Sequence, residues 1–473
     1  MTPHCNARPG RTHATPYKPR PSAWRAHLLC GVVALLSACG GGDTGSSTDG
    51  PASCELADQQ RWVKTTLDDW YLFNTRMPSV DAAAFNSIEA YFDALLVKQD
   101  EAGAALDRWS HVQDAAQFDA YYGEGRSLGY GLFVAGQADD PLPLRVRYVA
   151  PDSAAAQAGL ARGMVIDGIN GADPAQLKAA GDFAALTPTA VDQVLTLRVR
   201  DSATAAPREL SLRASVYPLQ PVAPMRVLTS PGGRRIAYLF YKDFLGARLD
   251  ALGSALAEAQ AAGVSELILD LRYNGGGQIS AAQELAGSLG GASAVGQRFA
   301  TLSYNARHAD ATQHLNFGTA LPRLGLSRVY VLTGVRTCSA SEMVVNGLAP
   351  FVPVVSIGAA TCGKPYGFNP RSACGKTFNA VNFEIANALG VGGYRSGLAP
   401  DCAVTEDFDR AMDDPGEALT AAALSHADTG RCPSASGASQ TLRRPSAGAG
   451  ARPIVRDGEP YLSAGWEAPA PRP

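Results

Sequence analysis

Large apolar side chains recur every three or four residues in the first part of the chain. They do so in QQRWVKTTLDDWYLF, residues 59–73, and again in SIEAYFDALL, residues 87–96. This period places the apolar side chains on one face of a helix, where they pack against a core. The pattern predicts a helical segment over residues 54–126, in which the aromatic side chains belong to the core and none carries chemistry.

The period changes to two beyond residue 126. PLRVRYVA, residues 143–150, alternates as a half-buried strand does, and SLGYGLFV, residues 127–134, sets a glycine turn before an apolar strand. A helix of small residues, the strand MVIDGI and an Asn170-Gly171 turn follow. The order of these elements over residues 127–215 resembles a PDZ domain. The alternative is a small β domain in which the glycine turn is only structural.

The resemblance to PDZ domains implies a binding site for peptide tails. In such domains the loop that corresponds to YGLF holds a C-terminal carboxylate through backbone N–H groups, while the peptide adds a strand to the sheet edge. The expected partners are therefore protein or peptide substrates with accessible C-terminal tails. The loop residues are Tyr130, Gly131, Leu132 and Phe133.

Strands and helices alternate over residues 216–432. RIAYLFY, SELILD, SRVYVLTG and VPVVSIG are apolar enough for buried strands, and ISAAQELAGSL and SASEMVVNGLAPF have the pattern of helices. Alternation of this kind is typical of an α/β layer. After Cys432, a stretch rich in serine, alanine and glycine predicts a low-complexity tail over residues 433–473.

Composition and charge narrow the class of protein. The chain has 473 residues, of which 46 % are hydrophobic and 18 % charged, and its net charge is −3. This hydrophobic content is sufficient for a packed core. The chain has no excess of basic residues, so its charge does not indicate a nucleic-acid partner.

The first forty residues are predicted to be a targeting segment. Arg20 and Arg25 precede the apolar run LLCGVVALL, which is too short for a membrane span and fits the core of a signal peptide. The end of the run, Leu36-Ser37-Ala38-Cys39, resembles a bacterial lipobox, which implies a signal peptide over residues 1–38 and lipidation of Cys39. A flexible tether over residues 39–53 would follow. The alternative is an ordinary secretory signal with a chance cysteine.

Gly40 after the cysteine favours the outer membrane, so the predicted location is the periplasmic side of the bacterial outer membrane, with the lipid as membrane anchor. Six cysteines remain in the mature chain, and an even number in an exported protein predicts disulfides. No C-x-x-C pair and no H-E-x-x-H occurs. Neither a metal site nor a cofactor is therefore predicted.

Ser339 is the candidate nucleophile. It follows a predicted buried strand and stands where a helix begins, so its hydroxyl and the free backbone N–H groups of the first turn face the same space. Ser339 and Glu342 are also spaced as a capping box, which is a purely structural alternative. Four histidines of the mature chain lie in no catalytic motif, namely His111, His308, His314 and His426.

Lys364 is the candidate base for Ser339. It follows the strand VPVVSIG, which is expected to lie beside the strand that leads to Ser339, and burial lowers the pKa of a lysine. Gly358, Gly363 and Lys364 also match a phosphate-binding G-x-x-x-x-G-K, but Pro365 replaces the Ser or Thr that holds magnesium. The phosphate interpretation is therefore disfavoured.

A glycine turn follows the strand ELILD, and such a turn lets backbone N–H groups approach a ligand. LILDLRYNGGG, TCSASE, GKPYGF and GLAPD together resemble the blocks of the C-terminal-processing, or tail-specific, serine peptidases, in that family's order and over residues 54–432. The resemblance implies that Ser339 is the nucleophile and Lys364 the general base. It also implies an oxyanion hole formed by the N–H groups of Gly276 and Ala340.

The same resemblance implies an α/β fold: a crotonase/ClpP-like peptidase layer with an inserted PDZ-like β domain and a helical N-terminal segment. Two departures from the family pattern stand out. Many members carry a glutamine four residues after the lysine, where this chain has Phe368. In addition, a cysteine lies close before each of the two implied catalytic residues, so a Cys338–Cys362 disulfide would link their loops. Cys402–Cys432 is a second expected pair, which leaves Cys54 and Cys374.

The sequence thus favours an exported serine endopeptidase that acts on unstructured or C-terminal regions of proteins. Ser341 is a rival nucleophile. A catalytically silent PDZ binding protein of the cell envelope and a crotonase-like acyl enzyme are rival functions.

Overall fold

The computed structural model describes residues 50–137 and 143–433. They belong to a unit that covers Thr48–Pro473, and a separate unit, Met1–Ser47, lies outside the described residues. The predicted signal peptide, Cys39 and nearly all of the predicted tail therefore fall outside the described part. Within that part, no helix is both long enough and apolar enough to cross a membrane.

The N-terminal segment is only partly helical. Helices α1 (Leu56–Trp70) and α2 (Ile88–Leu95) confirm the predicted periodicity, but residues His111–Asp114 form a strand, β1, which is followed by the short helix α3 (Ala115–Phe118) and a π-helical turn, Asp119–Gly123. The strand forms because it pairs antiparallel with Lys376–Asn379, a partner far along the chain. Local periodicity cannot reveal such pairing, so the prediction of helix throughout this segment was wrong here.

A five-stranded antiparallel sheet, called here the inserted sheet, follows the N-terminal segment. It is preceded by β2 (Arg126–Gly129) and contains β3 to β7 in sequence order, so β3 lies at one edge. Asn170 and Gly171 both have positive φ and close a two-residue hairpin, as predicted. The strands are β3 (Leu132–Ala135), β4 (Arg145–Val149), β5 (Val165–Ile169), β6 (Val194–Arg200) and β7 (Arg208–Arg213), with helices α4 (Ala154–Gln157) and α5 (Pro174–Ala180).

The centre of the molecule is a six-stranded sheet that is mostly parallel. After β8 (Ser215–Pro218), which pairs with β2, the chain enters this sheet, whose strand order is β20-β15-β14-β11-β10-β9. Its strands are β9 (Arg226–Thr229), β10 (Arg235–Phe240), β11 (Glu266–Asp270), β14 (Arg328–Thr333), β15 (Val354–Gly358) and β20 (Cys402–Ala403).

Helices cover both faces of this sheet, which explains why its central strands are continuously apolar. Alternate residues of β11 face opposite sides: Leu267 and Leu269 join one core cluster, and Ile268 joins another. The first cluster holds α6 (Leu249–Ala261), α7 (Ile279–Leu289) and α8 (Ala340–Leu348), and the second holds α9 (Ala418–Thr429). The predicted α/β class and the predicted strands and helices of this region are confirmed.

Two smaller antiparallel sheets complete the described part. One has the order β13-β12-β19-β16, and the other has the order β1-β18-β17. The latter joins the N-terminal segment to the rest of the chain. The strands are β12 (Arg298–Tyr304), β13 (Gln313–Asn316), β16 (Tyr366–Phe368), β17 (Arg371–Ala373), β18 (Lys376–Asn379) and β19 (Val381–Asn387).

Three disulfides connect these elements. Cys338–Cys362 and Cys402–Cys432 are the pairs expected from the sequence, and Cys54–Cys374 ties the start of α1 to the turn between β17 and β18. The N-terminal segment is thus fastened to the second half of the chain by both a bond and a sheet.

Candidate active site

Ser339 lies in a strained turn at the start of α8. Its φ of 54° and ψ of −115° are rarely adopted by a residue with a side chain. The Ser341 N–H donates to the Cys338 carbonyl at 3.0 Å, so Ser339 occupies the first central position of a tight turn that usually requires glycine there. The strain sets the serine side chain at a helix N-terminus, which is the arrangement of many nucleophilic serines.

The loop that carries Lys364 runs beside the loop that carries Ser339. Strands β14 and β15 are parallel neighbours, with Thr333 opposite Gly358, so both loops leave the same edge of the sheet. The Cys362 N–H donates to the Thr337 carbonyl at 3.0 Å, and the Cys338–Cys362 disulfide joins the loops covalently. The structure therefore brings the predicted nucleophile and the predicted base to one place.

Glu342 links the two loops through its buried carboxylate. Its Oε2 atom accepts from the Ser339 N–H at 2.9 Å and from the Lys364 N–H at 2.8 Å. Its Oε1 atom accepts from the Thr361 hydroxyl at 2.5 Å and from the Gly363 N–H at 2.8 Å. The capping interaction suggested by the sequence is thus part of a larger network, and the N–H groups that a phosphate would need at Gly363 and Lys364 are bound to a carboxylate.

Burial changes the pKa values of both groups in this network. It raises the pKa of Glu342, although the hydrogen bonds to its carboxylate oppose the shift. Burial also lowers the pKa of Lys364 to about 7, against the attraction of Asp107 and Glu342. Near neutral pH, Lys364 can therefore be uncharged and accept a proton.

Aromatic rings surround the Lys364 ammonium. Nζ lies 3.8 Å from the centroid of the Phe368 ring and 5.5 Å from that of the Trp109 ring. Trp109 comes from the N-terminal segment, where its backbone N–H donates to the buried carboxylate of Asp107 at 3.0 Å. Sequence reasoning assigned no chemistry to this segment, and the structure corrects that expectation.

His111 also faces the site. Its Nδ1 atom donates to the Trp109 carbonyl at 2.9 Å, and its Nε2 atom accepts from the Asn379 side-chain amide at 3.3 Å, which fixes a neutral tautomer. Burial lowers the pKa of His111 to about 4. A histidine with so low a pKa is a much weaker base than Lys364.

The other candidate histidines lie elsewhere. His308 stacks on Trp70 and contacts Asp69, His314 is exposed on β13, and His426 is part of α9. Of these four histidines, His111 alone lines the cleft that contains Ser339 and Lys364. The signal that sequence reasoning lacked was the long-range pairing of β1, which carries His111 to the site.

Gly276 packs directly against Ser339. A Cβ atom at position 276 would lie 2.8 Å from Ser339 Cβ and 3.0 Å from the Ala340 nitrogen, and the φ of Gly276 is 104°. Only glycine fits this contact. The Gly276 N–H donates to Asn274 Oδ1 at 2.8 Å in this conformation, so it is already bonded within the protein.

Asn274 and Ser341 support the nucleophile turn from behind. The Asn274 carbonyl accepts from the Cys338 N–H at 3.1 Å and from the Ser341 hydroxyl at 3.0 Å, and Ser341 is fully buried. Ser341 is therefore a packing residue in this structure, and its hydroxyl is poorly placed to attack a substrate.

The site opens into a cleft of about 740 Å³. This size suits a ligand of several residues or a drug-sized molecule. Among the described residues that line it, Asp243 and Lys364 are the charged ones, and most of the others are aromatic, aliphatic or amide side chains. The cleft can thus accept an uncharged segment of chain.

The predicted tail-binding residues lie outside this cleft. Tyr130 and Gly131 form the turn between β2 and β3, where Gly131 has a φ of 69°, and Leu132 and Phe133 begin the edge strand β3. A side chain at position 131 would collide with Ser153 at 2.1 Å, so the turn requires glycine.

One group of side chains has the composition of a metal site. Atoms of Cys338, Glu342 and Cys362 lie within 4.8 Å of one another. The two sulfurs are bonded to each other, and both carboxylate oxygens of Glu342 accept hydrogen bonds. In this oxidised form the three residues therefore offer a metal no free ligand.

Comparison with known proteins agrees with this geometry. Residues 235–402 match the family described as peptidase family S41, and residues 58–111 match the peptidase S41 N-terminal domain. Among curated proteins, none matches this chain in sequence.

Solved structures are similar to the chain over most of its length. A crystal structure assigned to the S41 proteases, from Bacteroides fragilis NCTC 9343, is 26 % identical with a TM-score of 0.61, over 78 % of this chain and 97 % of that one. The photosystem II D1 C-terminal processing protease is 18 % identical with a TM-score of 0.47, over 73 % of this chain and 92 % of that one. The chain therefore contains, in order, a segment that matches the peptidase S41 N-terminal domain and a segment that matches peptidase family S41.

Proposed function

We propose that this protein is a serine endopeptidase in which Ser339 is the nucleophile and Lys364 the general base. The observation that carries the proposal is the network around Glu342, which binds the backbone of both residues at one end of the cleft. A serine is a weak nucleophile until a neighbouring base takes its proton. A partly buried lysine whose pKa lies near 7 is such a base.

The reaction follows from these roles. Ser339 Oγ attacks a peptide carbonyl carbon while Lys364 Nζ takes the hydroxyl proton. The tetrahedral intermediate collapses, the C–N bond breaks, and the Lys364 ammonium returns the proton to the leaving amine. Water then attacks the acyl-enzyme with the help of Lys364, which releases the second product and restores Ser339.

The oxyanion of the intermediate would be stabilised by the N–H groups of Ala340 and Gly276. Ala340 begins α8, where backbone N–H groups and the helix dipole favour negative charge. Gly276 lies against Ser339, but its N–H must turn from Asn274 Oδ1 toward the substrate, or share its hydrogen. Substrate binding would then complete the oxyanion hole.

The inserted sheet would hold the substrate's tail as a PDZ domain does. Among the described strands, β3 pairs only with β4, so its other edge would receive the added strand, and the glycine turn of Tyr130 and Gly131 precedes it. The substrate would be an unstructured protein with an accessible C-terminal tail, because only an extended chain can add to the sheet and enter the cleft.

Export to the cell envelope agrees with the chemistry of the chain. The lipobox-like segment at Cys39 supports a lipid anchor, and three disulfides suit an oxidising compartment. Radioactive palmitate should label the chain in bacterial cells, and Cys39→Ser should abolish the label.

A silent tail-binding protein is the second candidate function. The bond between the Gly276 N–H and Asn274 favours it, because this N–H is already bonded within the protein and is not directed at a substrate. Phe368 at the position of the family's glutamine points the same way. Tail binding without turnover under any condition would support this alternative.

The direct test combines labelling with turnover. The purified full-length chain is incubated with a fluorophosphonate probe and, separately, with an unfolded model protein. We expect the probe to modify Ser339, and both labelling and cleavage to be lost in Ser339→Ala but retained in Ser341→Ala. Cleavage by Ser339→Ala at the wild-type rate would refute the assignment of the nucleophile.

A further inference from the structure

Position 368 poses a question that the proposed dyad leaves open. A lysine base needs a partner that holds its amine toward the serine, and the side chain four residues after Lys364 is a phenylalanine with no hydrogen-bonding group. The ring nevertheless makes a close contact, since its centroid is 3.8 Å from Lys364 Nζ. This is well inside the range of about 6 Å over which an ammonium is attracted to an aromatic face.

We propose that the ring face of Phe368 is the positioning group for Lys364, and that it stabilises the ammonium formed when Lys364 takes the proton of Ser339. The inference rests on the proposed function and extends it. Phe368 touches Lys364 and not the reacting bond, so it acts through the lysine.

The electrostatics of an aromatic ring suit this task. The face of the ring carries partial negative charge, which attracts an ammonium far more than an uncharged amine. The contact therefore strengthens at the step in which Lys364 becomes charged. The contact thus opposes part of the pKa lowering that burial causes, and it favours the charged form of Lys364 as the proton is transferred.

The ring is held in place by a framework that reaches back to the N-terminal segment. The His111 ring lies edge-on to Phe368, with centroids 5.8 Å apart, and His111 is itself bonded to the Trp109 carbonyl. Trp109 provides the second ring near Nζ, at 5.5 Å. The rings of Phe368, Trp109 and His111 thus pack beside Lys364, and the Phe368 ring is the nearest to Nζ.

The other groups near Lys364 limit what Phe368 must do. Asp107 and Glu342 are the acidic neighbours, and both favour the ammonium form of Lys364. Arg108 lies near Glu342. His111 is neutral at physiological pH because burial lowers its pKa. Asp107 is bonded to Tyr71, Trp109 and Ser110, and Glu342 accepts from backbone N–H groups. Both carboxylates thus act at a distance, and the direct contact with Nζ is aromatic.

Graded fluorination of the Phe368 ring tests the proposal without changing the shape of the site. Mono-, di- and trifluorophenylalanine are incorporated at position 368, and Lys364 is titrated by NMR in the Ser339→Ala background, which needs no catalysis. We expect each fluorine to weaken the ring face and to raise the acid dissociation constant of Lys364, by about two- to thirtyfold over the series. The acid limb of kcat/KM in the active enzyme should move to lower pH in parallel.

A matched series at Phe92 provides the control, because this ring, which belongs to α2, is buried and packs against Phe378 rather than against Lys364. Fluorination there should leave the titration of Lys364 unchanged. Phe368→Tyr should keep the wild-type pH profile, and Phe368→Leu should lose activity even where the protein remains folded. A flat titration across the fluorinated Phe368 series would overturn the proposal while leaving the labelling of Ser339, and so the proposed function, intact.

Discussion

Two aromatic rings and two buried carboxylates determine the chemistry of Lys364. Burial away from water lowers the pKa of the side chain to about 7, while Asp107 and Glu342 oppose that shift. Burial therefore dominates, although both nearby charges are opposite in sign. A base with a pKa near the working pH combines a high uncharged fraction with sufficient basicity.

The pH dependence of turnover should report this lysine. Lys364 must be uncharged to accept a proton, so kcat/KM for an unfolded protein should fall about tenfold per pH unit below pH 7 and level off above it. A profile of kcat/KM between pH 4 and 9 measures this acid limb, the pH range over which kcat/KM falls. If His111 were the base, the limb would lie near pH 4, where His111 titrates. A profile that is flat from pH 5 to 8 would therefore rule out Lys364 as the base.

Glu342 is expected to be as important for turnover as the two residues of the proposed dyad. In Glu342→Gln, an NH₂ group replaces one of the two carboxylate oxygens. That NH₂ group cannot accept a hydrogen bond, so it would face two donors without a partner for them. The two donors are either the N–H groups of Ser339 and Lys364 or the Thr361 hydroxyl and the Gly363 N–H. We expect kcat to fall at least 10²-fold and stability to fall by about 2–4 kcal/mol. Glu258→Gln, at an exposed position of α6, should change neither quantity. Wild-type kcat in Glu342→Gln would contradict this role.

At the scale of elements, two loops from neighbouring parallel strands make the site. β14 and β15 deliver the loops to one edge, and the disulfide Cys338–Cys362 closes the gap between them. The chain between these two cysteines is about as long as that between Cys402 and Cys432, since the sequence separations are 24 and 30. The two bonds should therefore stabilise the fold equally, by about 3–4 kcal/mol each in the chain-entropy account.

Removal of each disulfide should separate stability from catalysis. Cys338→Ala with Cys362→Ala should lower both the Tm and kcat, because the serine and lysine loops lose their covalent link. Cys402→Ala with Cys432→Ala should lower the Tm by a similar amount and leave kcat unchanged at temperatures where the protein is folded. Thermal unfolding and cleavage assays measure both effects, and equal losses of kcat in the two double variants would show that the link has no catalytic role.

Local pattern was enough to predict the elements that carry Ser339 and Lys364. The apolar runs of β14 and β15 and the period of α8 are visible in the sequence, so the placement of Ser339 and Lys364 at a shared edge of the sheet could be predicted. β1 was missed because its four residues become a strand only by pairing with β18. Trp109 and His111 were missed with it, and Glu342 was recognised only as a helix cap, since its bonds to Gly363 and Lys364 depend on tertiary contacts.

At the scale of the whole molecule, Arg162 fastens the inserted sheet to the central sheet. Its guanidinium donates to Tyr273 at 2.5 Å, to the Glu406 carboxylate at 2.7 Å and to the Asp407 carbonyl at 2.7 Å. Glu406 in turn binds the buried Arg272 at 3.2 Å. Tyr273 directly precedes Asn274 and the glycine turn, so this junction reaches the base of the site.

Loss of Arg162 should therefore destabilise the protein. In Arg162→Ala, Glu406 loses one of its two cations and Tyr273 loses a partner, and we expect the free energy of unfolding in urea to fall by about 2–4 kcal/mol. Arg208→Ala, which removes an exposed ion pair with Asp201 in the same sheet, should cost less than about 0.5 kcal/mol. Equal effects of the two variants would mean that the junction is not a stabilising contact.

The origin of the residues around Lys364 has a consequence for biosynthesis. Trp109 and the carboxylate of Asp107 come from the start of the folded chain, whereas Ser339, Glu342 and Phe368 come from its second half, and Cys54–Cys374 joins the two. A ribosome or a translocation channel delivers these parts one after the other. In a nascent chain, Lys364 would thus lack the surroundings described here until most of the chain has emerged, so the proposed peptidase activity would arise only when synthesis is nearly complete.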